Sequence, residues 1–290
     1  MRAFRGALLL CLFLAAPSSW PREIHFTWWS DAPQVYLAAI QEFTPKELPT
    51  LPAGQRVRGG IVTHHFLASG LMVRFFAGLR AQSSPETIVL LGPNHFHHGL
   101  ANISIPSLPW KTPFGMLDAD EVMARQIGAA IHLPEDRDAF TGEHSVGVLI
   151  PFLKYYFPRS RVVPILIDTN ADANRLAALR DVLSGALKNP NVLVLLSMDF
   201  SHDSTASVAD SRDQQTRKVI FEMDARGTAD LHVDCRKGLR LLLESLKGAG
   251  PVNVQINDHT NSARLTGKPS LKNVTSYFTI YFLAPVRTPL

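Results

Sequence analysis

The sequence predicts a single α/β domain with a mostly parallel central sheet flanked by helices. Three observations predict it. Six short runs are rich in β-branched and aliphatic residues, at Gly60–Thr63, Thr87–Leu91, Val162–Ile167, Val192–Ser197, Val252–Ile256 and Ser276–Phe282. Longer stretches with helical spacing of apolar residues separate them, and strands spaced by helices favour parallel pairing. Pro and Gly cluster only in short turns, so no linker divides the chain and one domain runs from residue 21 to 290.

The first 20 residues stand apart. Arg2 and Arg5 precede the apolar run Ala7–Ala16, and Pro17-Ser18-Ser19 follows. A positive flank, a short apolar run and small residues form the pattern of a signal peptide. Export to the periplasm or the outside is the expectation, with a membrane-anchored or cytoplasmic chain as the alternatives. The run is about ten residues, half of the roughly 20 that a membrane span needs, and no other stretch is apolar enough.

Helices are expected near Ala32–Phe43, Leu67–Arg80, Ala119–Ile127, Val146–Tyr156, Ala171–Leu187, Ser211–Met223 and Cys235–Leu246. With 290 residues, 46% hydrophobic and 19% charged, the chain has ample material for one core. Its formal charge is +4, falling to +2 without Arg2 and Arg5, and no basic stripe with interleaved aromatics is present. Nucleic acid is therefore not an expected partner. Two cysteines, Cys11 and Cys235, leave one after leader removal, so no internal disulfide is expected.

Ligands of such sheets bind beyond the carboxyl ends of the strands. Ile61-Val62 runs into His64 and His65. Thr87–Leu91 is stopped by Gly92-Pro93 and followed by Asn94-His95. Val192–Ser197 leads into Met198-Asp199-Phe200-Ser201-His202. Three separate strands thus deliver imidazole to one edge. Thr141-Gly142-Glu143-His144-Ser145 opens a helix, and Asp234 stands before the helix at Cys235. Each has an ordinary explanation. Asp234 fits an N-cap, Glu143 a helix N-terminus, Asp199 a turn residue bonding its own backbone. His25, His132, His232 and His259 read singly as hydrogen-bonded loop residues, and His97 and His98 as part of a solvated loop. Phe66, Phe96 and Phe200 fit either an aromatic-lined pocket or the core.

The blocks "GGIVTHH…SG", "LLGPNH", "EHSVGVLIPFL" and "SMDFSH" resemble, in order and spacing, those of the Memo family, also called AmmeMemoRadiSam system protein B. The resemblance runs from His25-Phe-Thr-Trp-Trp29 to the last strand. It implies a fold like that of class III extradiol dioxygenases, with a metal pocket at the strand ends. His64 and His95 fall on the family's metal-ligand histidines. His202, with Asp199 nearby, falls on the pocket acid/base position, and His144 on the histidine of the Glu-His-Ser block. The usual "PHAGY.YSG" is here "THHFLASG", one residue shorter, which leaves His65 as an alternative to His64. Gly147 replaces a glutamate after Glu-His-Ser. Many members have Cys-Gly at the start of the penultimate helix; Asp234 aligns with that cysteine, with Cys235 as the alternative ligand.

Two imidazoles and a carboxylate on one face of a divalent metal form the non-heme iron(II) arrangement, with positions left open. Iron is the expected metal, copper or zinc the alternatives. The function implied is a dioxygenase-like, metal-dependent oxidoreductase acting on a small molecule, with His202 as acid/base. A metal-dependent hydrolase and a non-catalytic binding or scaffold module with a protein partner are the competing readings.

Overall fold

The computed structural model describes residues 24–25, 33–48 and 50–286. The expected leader, the block from Phe26 to Trp29 and the expected helix start at Ala32 lie outside them. In chain order the elements are β1 (Ile24–His25), α1 (Pro33–Phe43), β2 (Gln55–Val62), α2 (Ser69–Gln82), β3 (Thr87–Pro93), β4 (Ile103–Ser104), β5 (Trp110–Thr112) and β6 (Gly115–Leu117). Then come α3 (Glu121–Ala130), α4 (His144–Gly147), α5 (Ile150–Tyr156), β7 (Arg161–Ile167), α6 (Ala173–Ala186) and β8 (Val192–Ser197). The chain continues through α7 (Ala206–Phe221), α8 (Arg236–Ala249), β9 (Asn253–Asn261), α9 (Ser262–Thr266) and β10 (Ser276–Pro285).

Among the described residues, seven strands form the main sheet, in the order β4, β7, β3, β8, β2, β10, β9. The central four, β7, β3, β8 and β2, are parallel, and the outer pairings are antiparallel. The four central strands read as near-continuous apolar runs because both of their faces are covered. One face packs the leucines of α8, where Leu239, Leu242, Leu243 and Leu246 recur at helical spacing and are buried with Leu196 and Val194. The other face packs α2 and α5, with Phe75, Phe76 and Phe152 against Val62 and Leu195. Gly60 explains the paired glycines of β2. A Cβ there would lie 2.7 Å from the Phe75 ring, so α2 reaches the sheet only over a glycine.

The structure departs from the sequence reading where polarity or proline hides an element's extent. The expected helix Val146–Tyr156 is two, α4 and α5, with Pro151 in the first turn of the second. A proline lacks the N–H an interior position needs, so it begins a helix more readily than it continues one. Strand β9 runs on through Asn257-Asp258-His259-Thr260, a polar stretch without apolar alternation, because pairing with β10 holds it. His259, read as a loop residue, therefore lies in a strand. Helix α7 begins at Ala206, five residues before its expected start at Ser211, along a surface-facing polar run. The short β1, β5 and β6 make a separate three-stranded sheet that the sequence did not announce.

Register places the site. Val62 pairs with Ser197, and Leu91 pairs with Leu196. The residues just past Val62, Pro93 and Ser197 therefore leave adjacent parallel strands at one edge. They include His64, His95 and Asp199.

Candidate metal centre

His64 is 3% exposed and follows β2 by two residues. Its Nδ1 lies 2.9 Å from Ser197 Oγ, and that hydroxyl also contacts the carbonyl oxygen of Ser145. A carbonyl only accepts, so the serine proton goes to Ser145. Ser197 must then accept from His64, which fixes the proton on Nδ1 and leaves the Nε2 lone pair facing the strand-end cleft. The same logic orients His95. Its Nδ1 donates to Glu143 Oε1 at 2.9 Å, and its backbone N–H donates to Oε2 at 2.8 Å. Glu143 also caps α4, accepting from the Ser145 N–H at 2.8 Å. The Glu-His-Ser block thus serves mainly to fix His95. It packs directly on β3 because residue 92 is glycine; a Cβ there would lie 2.9 Å from Val146 and 3.0 Å from Ser145 Oγ.

Both Nε2 atoms converge on Asp234. Its Oδ2 is 3.3 Å from His64 Nε2, 3.7 Å from His95 Nε2 and 3.9 Å from His202 Nε2. Asp234 precedes α8 but does not cap it, and the N-cap residue, Cys235, makes no side-chain capping bond. Instead Oδ2 accepts from the Asp199 N–H at 3.0 Å, and Asp234 donates its own N–H to the Asp199 carbonyl at 3.3 Å. Asp199 is tied back to the first strand end: its Oδ1 accepts from the Thr63 hydroxyl and from the His64 N–H at 3.1 Å. These loops, distant in sequence, are mutually latched.

His144 completes the group. Its ring stacks on His95 at 4.3 Å between centroids and meets His64 edge-on at 5.4 Å. Ring nitrogens of His64, His95 and His144 all lie within 4.8 Å of one another. His202 stands at the mouth, its side chain 39% exposed. His65 points away; it is exposed, and its Nδ1 meets Tyr277 Oη at 2.6 Å. Cys235 is buried in the core with its sulfur turned towards Gly238, and burial pushes its thiol well above the usual range. Of the three phenylalanines, Phe66 and Phe200 belong to the core, while Phe96 lies beside His144. His97 pairs with Asp168 rather than with the histidine group.

The electrostatics call for a cation. Burial would raise the Glu143 carboxyl, but His95 and the backbone donors hold it down at about 2. Burial likewise opposes ionisation of Asp199, and the nearby His64 with the Thr63 hydroxyl keeps its pKa below the ordinary value. With Asp234 added, three carboxyl groups share this buried neighbourhood. His95 answers part of that charge. Burial disfavours its cationic form, yet Asp234 and Glu143 raise it to about 10. Burial and the neighbouring His64 and His95 push His144 the other way, down to about 4, so it is neutral at physiological pH.

Among the described residues, the buried Asp234 Oδ1 and His202 Nε2 have no hydrogen-bond partner. A buried orphan costs about 1–3 kcal/mol, and such atoms call for an explanation. Two ligands about 2.1 Å from one cation sit about 3.0 Å apart at a right angle and about 3.4 Å apart at a tetrahedral angle. The separations at Asp234 Oδ2 are close to that range. The residues fit a divalent metal. The sequence had weighed Glu143 only as a helix terminus, and it did not single out Ser197 or Thr63. The one local sign of Glu143's role was its place directly before His144.

A second group, Asp210, Asp213 and His259, also brings three potential ligands together. Asp213, 1% exposed, accepts from Ser201 Oγ at 2.8 Å, Ser276 Oγ at 2.7 Å and His259 Nε2 at 2.8 Å. Asp210 pairs with Arg264 at 2.6 Å. Among the described residues, no helix is long and apolar enough to cross a membrane.

Comparison with known proteins places the chain in a family. A MEMO1 family protein of Pyrobaculum aerophilum is 28% identical over 249 residues, 81% of this chain and 87% of that protein. One from Caldivirga maquilingensis is 32% identical over 179 residues, 60% of this chain and 59% of that relative. The crystal structure of an uncharacterised Escherichia coli K12 protein shares the fold, with a TM-score of 0.54 at 13% identity over 77% of this chain and 98% of that one. The model of the Memo-like protein family matches residues 26–281, nearly the whole described chain, and the protein belongs to that family.

Proposed function

We propose that the strand-end cluster binds one divalent metal, iron in the first instance, through His64 Nε2, His95 Nε2 and Asp234 Oδ2, and that the protein is a dioxygenase-like oxidoreductase acting on a small molecule. The observation that supports this most is the convergence of two pre-oriented imidazole Nε2 atoms on a carboxylate whose other oxygen has no partner. Two histidines and one carboxylate leave open positions on the metal for substrate. A metal bound there supplies Lewis-acid and, as iron, redox chemistry.

The chain's own groups do the rest. Ser197 and Glu143 keep the two Nε2 atoms aimed, which is the usual work of groups behind metal ligands. Asp199 locks the loop after β8 onto β2. His202 Nε2, at the mouth and 3.9 Å from Asp234, holds or accepts a substrate proton. His144, neutral and stacked on His95, offers a hydrogen bond to developing negative charge. The pattern of residues 1–20 supports export of the mature chain. Outside the cytoplasm, where iron(II) is readily oxidised, copper gains as the bound metal.

Metal analysis of untagged protein tests the reading. Near-stoichiometric metal is expected, lost in His64→Ala and in Asp234→Ala. Oxygen uptake with a panel of catechols then tests the reaction. The three-histidine grouping of His64, His95 and His144 supports a second reading, hydrolysis by a metal-activated water. Metal bound without oxygen uptake, with ester hydrolysis instead, would favour it. Protein that never takes up metal would leave a binding module.

A further inference from the structure

A cleft of about 420 Å³ opens along the start of α8, and its wall includes Asp234, the one residue it shares with the histidine cluster. Asp234 is 9% exposed and has one oxygen without a partner. Ile167, Ala229 and Val233 give the cleft an apolar floor, and Arg236, Lys237 and Arg240 line its α8 side. Arg240 is balanced by Glu244 at 2.8 Å, and Asp168, the other carboxylate of the cleft, is held by His97. Arg236 and Lys237 are different. Arg236 donates to the Ala229 carbonyl at 3.2 Å and Lys237 to the Ala171 carbonyl at 2.7 Å, and among the described residues neither has a carboxylate partner.

Their position sharpens the point. Both lie in the first turn of the 14-residue α8, which has no side-chain cap and no acidic residue there. The N-terminus of a helix carries partial positive charge and favours anions, so two cations at that end repel it. Two side-chain charges, each bonded to a carbonyl and to no carboxylate, therefore stand at the start of α8 beside apolar lining.

We infer that this cleft binds a small organic acid, its anionic group on Arg236, Lys237 and the first turn of α8, its apolar body on Ile167, Ala229 and Val233. The inference deepens the proposed metal site and rests on that reading only for where the acid's reacting end lies, at Asp234. A carboxylate there would gain charge-assisted hydrogen bonds in a partly desolvated cleft.

Benzoate, benzamide as its neutral isostere and inorganic phosphate are the probes, titrated calorimetrically into the full chain with and without zinc(II). Benzoate is expected to bind and benzamide not. The Arg236→Gln/Lys237→Gln double variant should weaken benzoate by about tenfold or more while taking up metal as the wild type does. Lys237→Arg, which keeps the charge, should restore most of the loss seen in Lys237→Gln. Equal binding of benzoate and benzamide, an unchanged double variant, or no benzoate binding with or without zinc(II) would overturn the inference. Phosphate binding without benzoate binding would overturn the organic-acid assignment. Benzoate binding in a protein that takes up no metal would sink the metal site alone and leave this inference standing.

Discussion

The strand-end cluster and the Asp213 network both place imidazole against buried carboxylate, and they differ in what is left over. At the Asp213 network both oxygens are used: Ser201, Ser276 and His259 all bond to them, and Asp210 is neutralised by Arg264. At the strand-end cluster, the protein satisfies the Nδ1 atoms of His64 and His95 and leaves their Nε2 atoms facing a carboxylate with a bare oxygen. Proximity of ligand-type residues is similar in the two places. Satisfaction separates them. A closed network fixes structure, here the loop that carries Asp199 and His202, whereas an incomplete one is prepared for something else.

That contrast is open to direct attack. The largest effect should come from Asp234→Ala or His64→Ala, each abolishing metal uptake measured by elemental analysis while far-UV circular dichroism stays native. Asp213→Ala should do the reverse. It leaves two serines and a histidine without their buried acceptor, so urea unfolding should show a loss of about 2–4 kcal/mol, with metal stoichiometry kept at low temperature. Loss of metal from Asp213→Ala in folded protein would erase the distinction.

Glu143→Gln should weaken metal binding by about 10–100-fold without abolishing it, because the amide holds His95 less firmly and makes it a poorer ligand. Competition with a chromophoric chelator would measure this. A smaller effect concerns protons. In the metal-free protein His95, raised to about 10, holds its second proton at neutral pH. A metal must displace that proton, so apparent affinity should fall about tenfold per pH unit as pH drops from 9 towards 7. A pH-independent affinity would show that His95 is not a ligand. The smallest effect is expected of Cys235→Ala, whose buried thiol faces Gly238; metal content should not change.

The scaffold of the site was legible in the sequence for a local reason. Apolar runs such as Thr87–Leu91 and Val192–Ser197 report burial on both faces of a parallel sheet, and the Gly92-Pro93 stop reports where a strand ends. His95 and Asp199 could therefore be assigned to one edge from position alone. Other features lacked a local trace. The polar half of β9 and the α4–α5 break depend on partners elsewhere in the fold. Glu143 reads as an ordinary helix-terminal acid until His95, 48 residues away in sequence, is found bonded to it.

By itself, then, the sequence determined the parallel core, its carboxyl edge and the residue types gathered there, because burial and strand termination are written in neighbouring residues. Only the tertiary structure decided that Asp234 faces the imidazoles while Cys235 turns into the core, that His64 points inward and His65 outward, and that Asp213 is closed where Asp234 is open. Those outcomes turn on differences of a few ångströms between groups far apart along the chain, and hydrogen bonds discriminate at that scale while composition and periodicity do not.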